Sequence, residues 1–396
     1  MGRRSRTDRQ GVTTRRDRAP RPRMAPPQPA VPVTERDPVP GARPPIVTAG
    51  QEGTEPAALV LSHWFESGPA GGPPYNAVVR LTGRRRDVAG RPSKGDVFSV
   101  SETVTGVAPG SGRVTTTSWI YDVNPGDWDV TAELLGPERA RAATPDLYLP
   151  RASWSWRSWD LRPAEKGPIR TRWALLAPLV ATPAVLPGSF TLLAVVAIVA
   201  AILSQPVSLG WLGVDAAAAV LASVVGLVVG IVGAKGWYMV LKGPSRKTLK
   251  EGWSVDGFLV TAPVVATVVA AAQGLPVGPY LDGVTPGIFL AVAIGRIGCF
   301  LTGCCAGRPT AGWGLWSSDR HVAARRIPAQ LLESAIGLAL FAGSAILLPS
   351  TIAGRGLVFV VAVAIYVASR QALLRIRAEA RPFSWRRSRV AATGRA

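Results

Sequence analysis

Two arginines stand where arginines are expensive. Arg296 is flanked by the uncharged runs Gly283–Gly295 and Ile297–Gly307, and Arg370 follows fourteen uncharged residues. A charge at membrane depth in such a run costs roughly 2.5–3.5 kcal/mol on insertion scales, so each needs a partner or a purpose. Two readings are open. In one, each guanidinium closes a salt bridge to another helix, with Glu333 or Asp256 as partner. In the other, the two guanidinium groups bind an anion; the anion native to an apolar bilayer is a lipid phosphate, which suits a bidentate fork. Asp215, Asp256 and Asp282 lie near the ends of apolar runs, where contact with water is a sufficient account.

The residues around Arg296 sharpen the second reading. From Gly295 the chain reads GRIGCFLTGCCAGRPT to Thr310, with glycines at 295, 298, 303 and 307. Small residues let helices or a ligand approach the backbone, and glycines late in a span suit a break where irregular backbone lines a cavity. Simple helix packing explains Gly295 and Gly298 but not the cluster from Gly303 to Pro309. After a loop comes RIPAQLLE, Arg326 to Glu333, in which Pro328 suits a helix start and Gln330 and Glu333, three apart, share a face. The three cysteines, Cys299, Cys304 and Cys305, fall within seven residues of an apolar run, which excludes a disulfide-stapled secreted scaffold. A thiol-redox or metal role for them is weak. Cys304 and Cys305, as neighbours, point to different faces of a helix, the window has no His, and C-x-x-C is absent. No metal or cofactor is expected.

The elements that must position these groups are membrane helices. From Trp173 to Val214 there are 42 consecutive residues without Asp, Glu, Lys or Arg, and further long apolar runs follow. Six spans are predicted, at about 183–203, 212–234, 255–273, 284–303, 329–349 and 356–374, each near the ~20 residues that cross the hydrocarbon. Basic residues crowd the connections at 235–253 and 304–328 and the tail after 374, whereas those at 204–211, 274–283 and 350–355 hold one cation, Arg355. By the positive-inside rule, both termini are expected in the cytoplasm, with the protein in the cell (inner) membrane.

Ahead of the spans, residues 1–50 carry eleven arginines against four acids and many prolines, the composition of a disordered tail without a signal-peptide apolar core. Within a domain expected at 51–150 the period changes to two from about Ala57 to Glu138, at Tyr75–Thr82, Val97–Val104, Val114–Val123 and Trp128–Leu134, with turn clusters such as Asn124-Pro125-Gly126-Asp127 between them. A small cytoplasmic β-sandwich is expected there, serving as a binding or spacer module. Residues 151–182 form a basic, Trp-rich juxtamembrane linker expected at the headgroups, and 378–396 a basic tail. The fold class is thus a polytopic α-helical membrane protein of about six spans behind a disordered tail and a β-sandwich. The formal net charge of +20, which in a soluble chain would suggest nucleic acid, is explained by topology and anionic headgroups. No nucleic acid partner is expected.

At these residues the sequence resembles the prolipoprotein diacylglyceryl transferase family. The stretch 295–310 is similar to that family's signature, G-R-x-G-N-F followed by a Gly-rich run ending G-R, and Arg326–Glu333 is similar to its R-H-P-S-Q-L-Y-E element. Gly233-Ala234-Lys235 with Tyr238 resembles a G-A-R-x-x-Y piece, and Tyr366 with Arg370 a Tyr-x-x-x-Arg in the last span. The resemblance covers about 207–377. It implies transfer of the diacylglyceryl group of phosphatidylglycerol to the lipobox cysteine of a preprolipoprotein signal peptide, at the membrane, with release of glycerol phosphate. It further implies Arg296 as a headgroup ligand, Arg370 as a second phosphate or leaving-group contact, and Tyr366 as a hydrogen-bond donor beside them. Gly303, Gly307, Arg308, Gln330 and Glu333 complete the expected binding set.

The departures are specific. The family's thiol-side base is a histidine near the start of a span; here that place reads Ser254-Val255-Asp256-Gly257-Phe258, which makes Asp256 the candidate base. The signature Asn is Cys299, a Gly-Glu is Gly303-Cys304, and the usual first span is replaced by the β-domain. The competing reading is a non-catalytic phospholipid-binding or scaffold protein derived from the same family.

Overall fold

A computed structural model describes residues 57–135, 151–154, 159–162, 168–180, 182–243, 245, 248–249, 252–350 and 353–378. The Arg/Pro-rich segment 1–50 and, apart from Ala378, the basic tail lie outside the described residues.

The first half folds into two antiparallel sheets. The strands are β1 (Ala57–Glu66), β2 (Tyr75–Arg85), β3 (Val97–Val107), β4 (Arg113–Val123), β5 (Asp127–Leu135), β6 (Arg151–Trp154), β7 (Trp159–Arg162), β8 (Ile169–Arg170) and β9 (Arg172–Trp173). One sheet runs β3-β2-β5-β8. In β2 the alternation is clean: Ala77, Val79 and Leu81 are buried, while Arg80 faces out to Glu133. The inner faces meet in a core of Leu59, Leu61, Phe65, Val79, Leu81 and Trp128. Strands β6 and β7 form a separate hairpin, so part of the stretch read as an interfacial linker is paired strand. The two-residue strands β8 and β9, from that same stretch, join β5 and β1.

The other sheet runs β10-β11-β4-β1-β9, and its first two strands come from far along the chain. Strands β10 (Leu315–Asp319) and β11 (Val322–Arg326) form a hairpin in the connection predicted as a cytoplasmic loop. β11 pairs with β4 through Val322–Thr116 and Ala323–Thr115, and the Thr117 N–H donates to the His321 carbonyl at 2.9 Å. The Trp316 indole N–H also donates to the Arg113 carbonyl, at 3.1 Å. The sandwich is therefore tied by a continuous hydrogen-bonded sheet to the connection between the fourth and fifth helices, which puts the sandwich and that connection on one side of the helices.

Among the described residues six apolar helices follow: α1 (Ser189–Trp211), α2 (Ala216–Lys242), α3 (Val255–Ala272), α4 (Val277–Thr302), α5 (Ala329–Leu347) and α6 (Leu357–Leu373). Of these, α1, α2, α4 and α5 are long and apolar enough to cross a membrane; α3 and α6 are shorter apolar helices. Their outward faces carry Leu192, Leu203, Val232, Val240, Val268 and Val360, all exposed, as a lipid-facing surface requires. Three helices start or end well away from their expected places, and one of them, α2, ends at Lys242, eight residues beyond the expected 234. α1 begins after Pro187-Gly188 and runs through Pro206 to Trp211, eight residues beyond the expected end at 203. α4 begins at Val277 rather than 284, because Asp282 is not at a watery span end. It is fully buried, and its carboxylate accepts the backbone N–H groups of Gly354 and Gly356 at 2.9 Å and of Phe359 at 3.0 Å, which satisfies the orphan donors at the start of α6. Asp215 does the same locally, accepting from the Ala217 and Ala218 N–H groups at the head of α2.

Helix pairs approach closely where side chains are smallest. A Cβ on Gly226 would lie 2.5 Å from the Ala266 Cβ, and one on Gly230 would lie 2.6 Å from the Ala262 Cβ, so the α2–α3 contact depends on that small-residue stripe.

His63, on the inner face of β1, is 2% exposed, and burial lowers its pKa from 6.5 to about 4. The unfolded chain therefore takes up a proton near 6.5 that the folded chain refuses until about 4. Stability contributed by neutral His63 is full above the unfolded value and falls as pH drops through this window, by about 2 kcal/mol at pH 5. The thermal midpoint of the sandwich in detergent is expected to fall between pH 7.5 and pH 5, with His63→Leu flattening the difference. An unchanged wild-type midpoint across that range would contradict the buried neutral imidazole.

Candidate functional site

The site is assembled around one carboxylate. RIPAQLLE starts α5 at Ala329, with Pro328 just ahead of the first turn, and this places Gln330 and Glu333 on the buried face. Glu333 is 3% exposed. Its Oε1 lies 2.8 Å from Arg296 Nη2, on α4, and 2.8 Å from Arg370 Nη1, on α6. The Tyr366 hydroxyl, one turn before Arg370, donates to the same oxygen at 2.7 Å. The Tyr366 ring meets Phe289 of α4 edge-on, with centroids 5.7 Å apart. A third cation, Arg377, lies just past α6 with Nη1 3.9 Å from Oε2. Three guanidinium groups thus surround one carboxylate. The salt-bridge reading of Arg296 and Arg370 holds, with Glu333 as the partner.

The segment after α4 holds this cluster together. Gly303 ends the helix in the left-handed region at φ 75°. Residues 306–310 then run as an extended strip between two others. On one side Ala378 N–H donates to the Ala306 carbonyl at 2.9 Å, and Arg308 N–H to the Ile376 carbonyl at 2.8 Å. On the other, Ile327 N–H donates to the Arg308 carbonyl and Thr310 N–H to the Arg325 carbonyl. Gly307 has no room for a side chain, because the Ile327 carbonyl occupies the place of a Cβ. The strip positions the backbone that carries Arg377 toward Glu333. Arg308 itself is exposed, and its Nε donates to the Arg377 carbonyl at 3.3 Å, so among the expected binding residues it acts on backbone. Arg326, almost fully buried, donates to the Gly307 carbonyl at 3.3 Å and lies 3.8 Å from Asp319.

Gln330 is 1% exposed; its Nε2 donates to the Cys304 carbonyl at 2.8 Å, while Oε1 is buried without a hydrogen-bond partner among the described residues. The cysteines do not diverge as the helical spacing predicts. The helix stops at Thr302, and Gly303 and Cys305 both have positive φ, 75° and 57°. The chain folds back, and the Cys299, Cys304 and Cys305 sulfurs all lie within 4.8 Å of one another. Hydrogen bonds with the Cys299 and Cys304 thiols, together with the Arg377 and Arg296 charges, draw the Cys305 thiol well below the ordinary range.

Asp256 belongs to α3, which packs on α2, and its side chain lies outside the described residues. Lys235, of the GAK segment, donates to the Gly252 carbonyl at 3.0 Å and sits over the Trp253 ring, so it serves the α2–α3 connection rather than the Glu333 cluster. Arg377 is the residue that sequence reasoning missed, because it was counted with the basic tail. Its spacing of seven from Arg370, two helical turns, was the available signal.

A family model described as prolipoprotein diacylglyceryl transferase matches residues 188–392, just over half of the chain. A phosphatidylglycerol–prolipoprotein diacylglyceryl transferase of Clostridium tetani is 34% identical over 95 residues, covering 22% of this chain and 38% of the relative. One of Dehalococcoides mccartyi is 29% identical over 142 residues, covering 35% of this chain and 54% of the relative. The chain thus spans between about a third and about half of these relatives' length. No solved structure matches. The match of the family model, over the same segment that gathers Arg296, Glu333, Tyr366 and Arg370, shows that the chain belongs to the prolipoprotein diacylglyceryl transferase family.

Proposed function

We propose that this chain transfers the diacylglyceryl group of phosphatidylglycerol to the lipobox cysteine of a preprolipoprotein within the cell membrane. The observation that carries the proposal is the Arg296–Arg370–Arg377 cluster around Glu333, built from the elements that the family model covers. In the reaction, a thiolate sulfur forms a bond to a glycerol carbon while the bond from that carbon to the phosphate oxygen breaks. Glycerol phosphate leaves with one more negative charge than the diester carried. Guanidinium groups fixed in a low-dielectric site stabilise that charge as it develops, without reorganisation.

Glu333 has two jobs in this reading. It keeps the arginines ordered when no phosphate is present, and it yields them when the headgroup enters. Tyr366 donates to Glu333 and is placed to donate to a phosphate oxygen once the carboxylate shifts. The thiol side is less provided for. Asp256 stands in the place of the family's histidine, yet transfer of a proton from a thiol of pKa ~8.5 to a carboxylate of ~3.9 is uphill by about 6 kcal/mol.

Detergent-solubilised protein incubated with labelled phosphatidylglycerol and a lipobox peptide is expected to form the thioether. Arg296→Ala is expected to reduce transfer at least ~100-fold, the usual scale for losing a transition-state charge partner, and Arg370→Ala somewhat less. Lipid binding without turnover in the wild type would favour the scaffold reading instead. Glu333→Gln should split two properties. Losing the carboxylate strands the guanidinium charges and lowers stability by on the order of 2 kcal/mol, less than for a fully buried pair because Arg296 and Arg370 keep some exposure. It also removes the competitor of the headgroup, so phosphatidylglycerol binding should tighten while the thermal midpoint falls. Weaker binding in a folded Glu333→Gln protein would contradict the displacement. Asp256→Asn is expected to change the transfer rate less than tenfold if the proton leaves by another route.

A further inference from the structure

The cysteine trio lies against the arginine cluster and has no part in the phosphate chemistry. We infer that Cys299, Cys304 and Cys305 bind one zinc ion as three thiolates and leave its fourth position to the acceptor thiol. The three sulfurs lie within 4.8 Å of one another, and all three cysteines are free. Thiolates at Zn–S distances of about 2.3 Å around a tetrahedral ion are about 3.8 Å apart, so a contraction of roughly 1 Å or less closes the site. Three protein ligands with one open position is the arrangement of a catalytic rather than a structural zinc.

The surroundings suit a site of that charge. Three thiolates on a dication carry one net negative charge, and a fourth thiolate makes it two. Arg296 and Arg377, which also face Glu333, both act electrostatically on this group. Arg296 and Cys299 are three apart on α4 and share a face, which brings the proposed nucleophile and the phosphate site together. Gln330 bonds the Cys304 carbonyl and keeps on the same amide a buried Oε1, unpartnered among the described residues, an acceptor suited to a peptide N–H.

The inference rests on the transfer reaction proposed above and supplies its missing step. A thiol entering the coordination sphere of zinc loses its proton to water, because a coordinated thiol is deprotonated outright. The sulfur lone pair then attacks the glycerol carbon, the carbon–oxygen bond breaks, and its electrons leave with the phosphate. The thioether, a poorer ligand than the thiolate, departs from the zinc. No oxidant, reductant or strong protein base is needed, so Asp256 in place of a histidine ceases to be an obstacle.

The test uses full-length protein purified in detergent. Elemental analysis is expected to find about one zinc per chain, and cobalt(II) exchanged into the chelator-stripped protein should show thiolate-to-cobalt charge-transfer absorption. A lipobox peptide should alter that spectrum, and the same peptide with serine for cysteine should not. Cys304→Ser and Cys305→Ser should each weaken zinc binding at least ~100-fold; because either could disturb the fold, the wild-type cobalt spectrum decides independently. Wild-type protein that neither retains zinc nor binds cobalt would overturn the site. A cobalt spectrum indifferent to the cysteine peptide, or copper(I) retained in place of zinc, would overturn the fourth-ligand step. Metal-loaded protein that shows the peptide-dependent spectrum and binds phosphatidylglycerol yet forms no thioether would leave the metal site standing and defeat the transferase reading.

Discussion

One carboxylate ties α4, α5, α6 and the segment beyond α6 together. Glu333 is buried at the start of α5, and α4, α6 and the segment beyond α6 each bring a guanidinium to it. Without that carboxylate, three like charges would be gathered in an apolar bundle and would repel one another. The helices that supply them would lose the reason to meet there. Asp282 plays the corresponding part at the far end of α4, where its carboxylate serves backbone donors instead of side chains. Two acids on two helices thus fix where α6 begins and where it ends.

The strip from Ala306 to Thr310 gives the cluster its precision. A strand-like segment hydrogen-bonded on both edges moves little, and it links the end of α4, the end of β11 and the end of α6. The glycine at 307 is required by the Ile327 carbonyl against it, and Gly303 by the left-handed turn that starts the strip. The glycines of this motif therefore serve the loop that positions the arginines. The turn at Gly303 also gathers the thiols, so one backbone feature shapes both halves of the proposed chemistry.

Much of this was legible in the residues. A charge in an apolar run announces itself, because its cost must be met, and Arg296, Arg370 and Glu333 were found that way. The motif order in the second half was sufficient to suggest the family. Less visible were features that depend on partners remote in sequence. β1 was not singled out as a strand because its outer face is covered by Ala174 and Ala177, so both faces are apolar and the alternation is blurred. The hairpin β10–β11 reads as a polar loop, since its Ser317 and Ser318 are buried only by what packs on them. Asp282 looked like a residue at a watery end because sequence does not show that α6 starts beside it. The convergence of the cysteines was hidden by assuming the helix continues past Thr302.

The shared sheet carries a consequence for the timing of biosynthesis. The β4 edge is completed by β11, whose partner residues Val322 and Thr116 are about 200 positions apart. At 5–20 residues per second the sandwich emerges from the ribosome roughly 10–40 s before the strand that closes it, and four apolar helices must be made in between. For that interval a strand edge is open to pairing with any neighbouring chain. The polar character of that edge, with Arg113, Thr115, Thr116 and Thr117 in place of large apolar side chains, is what a nascent domain needs while it waits for its own hairpin to arrive.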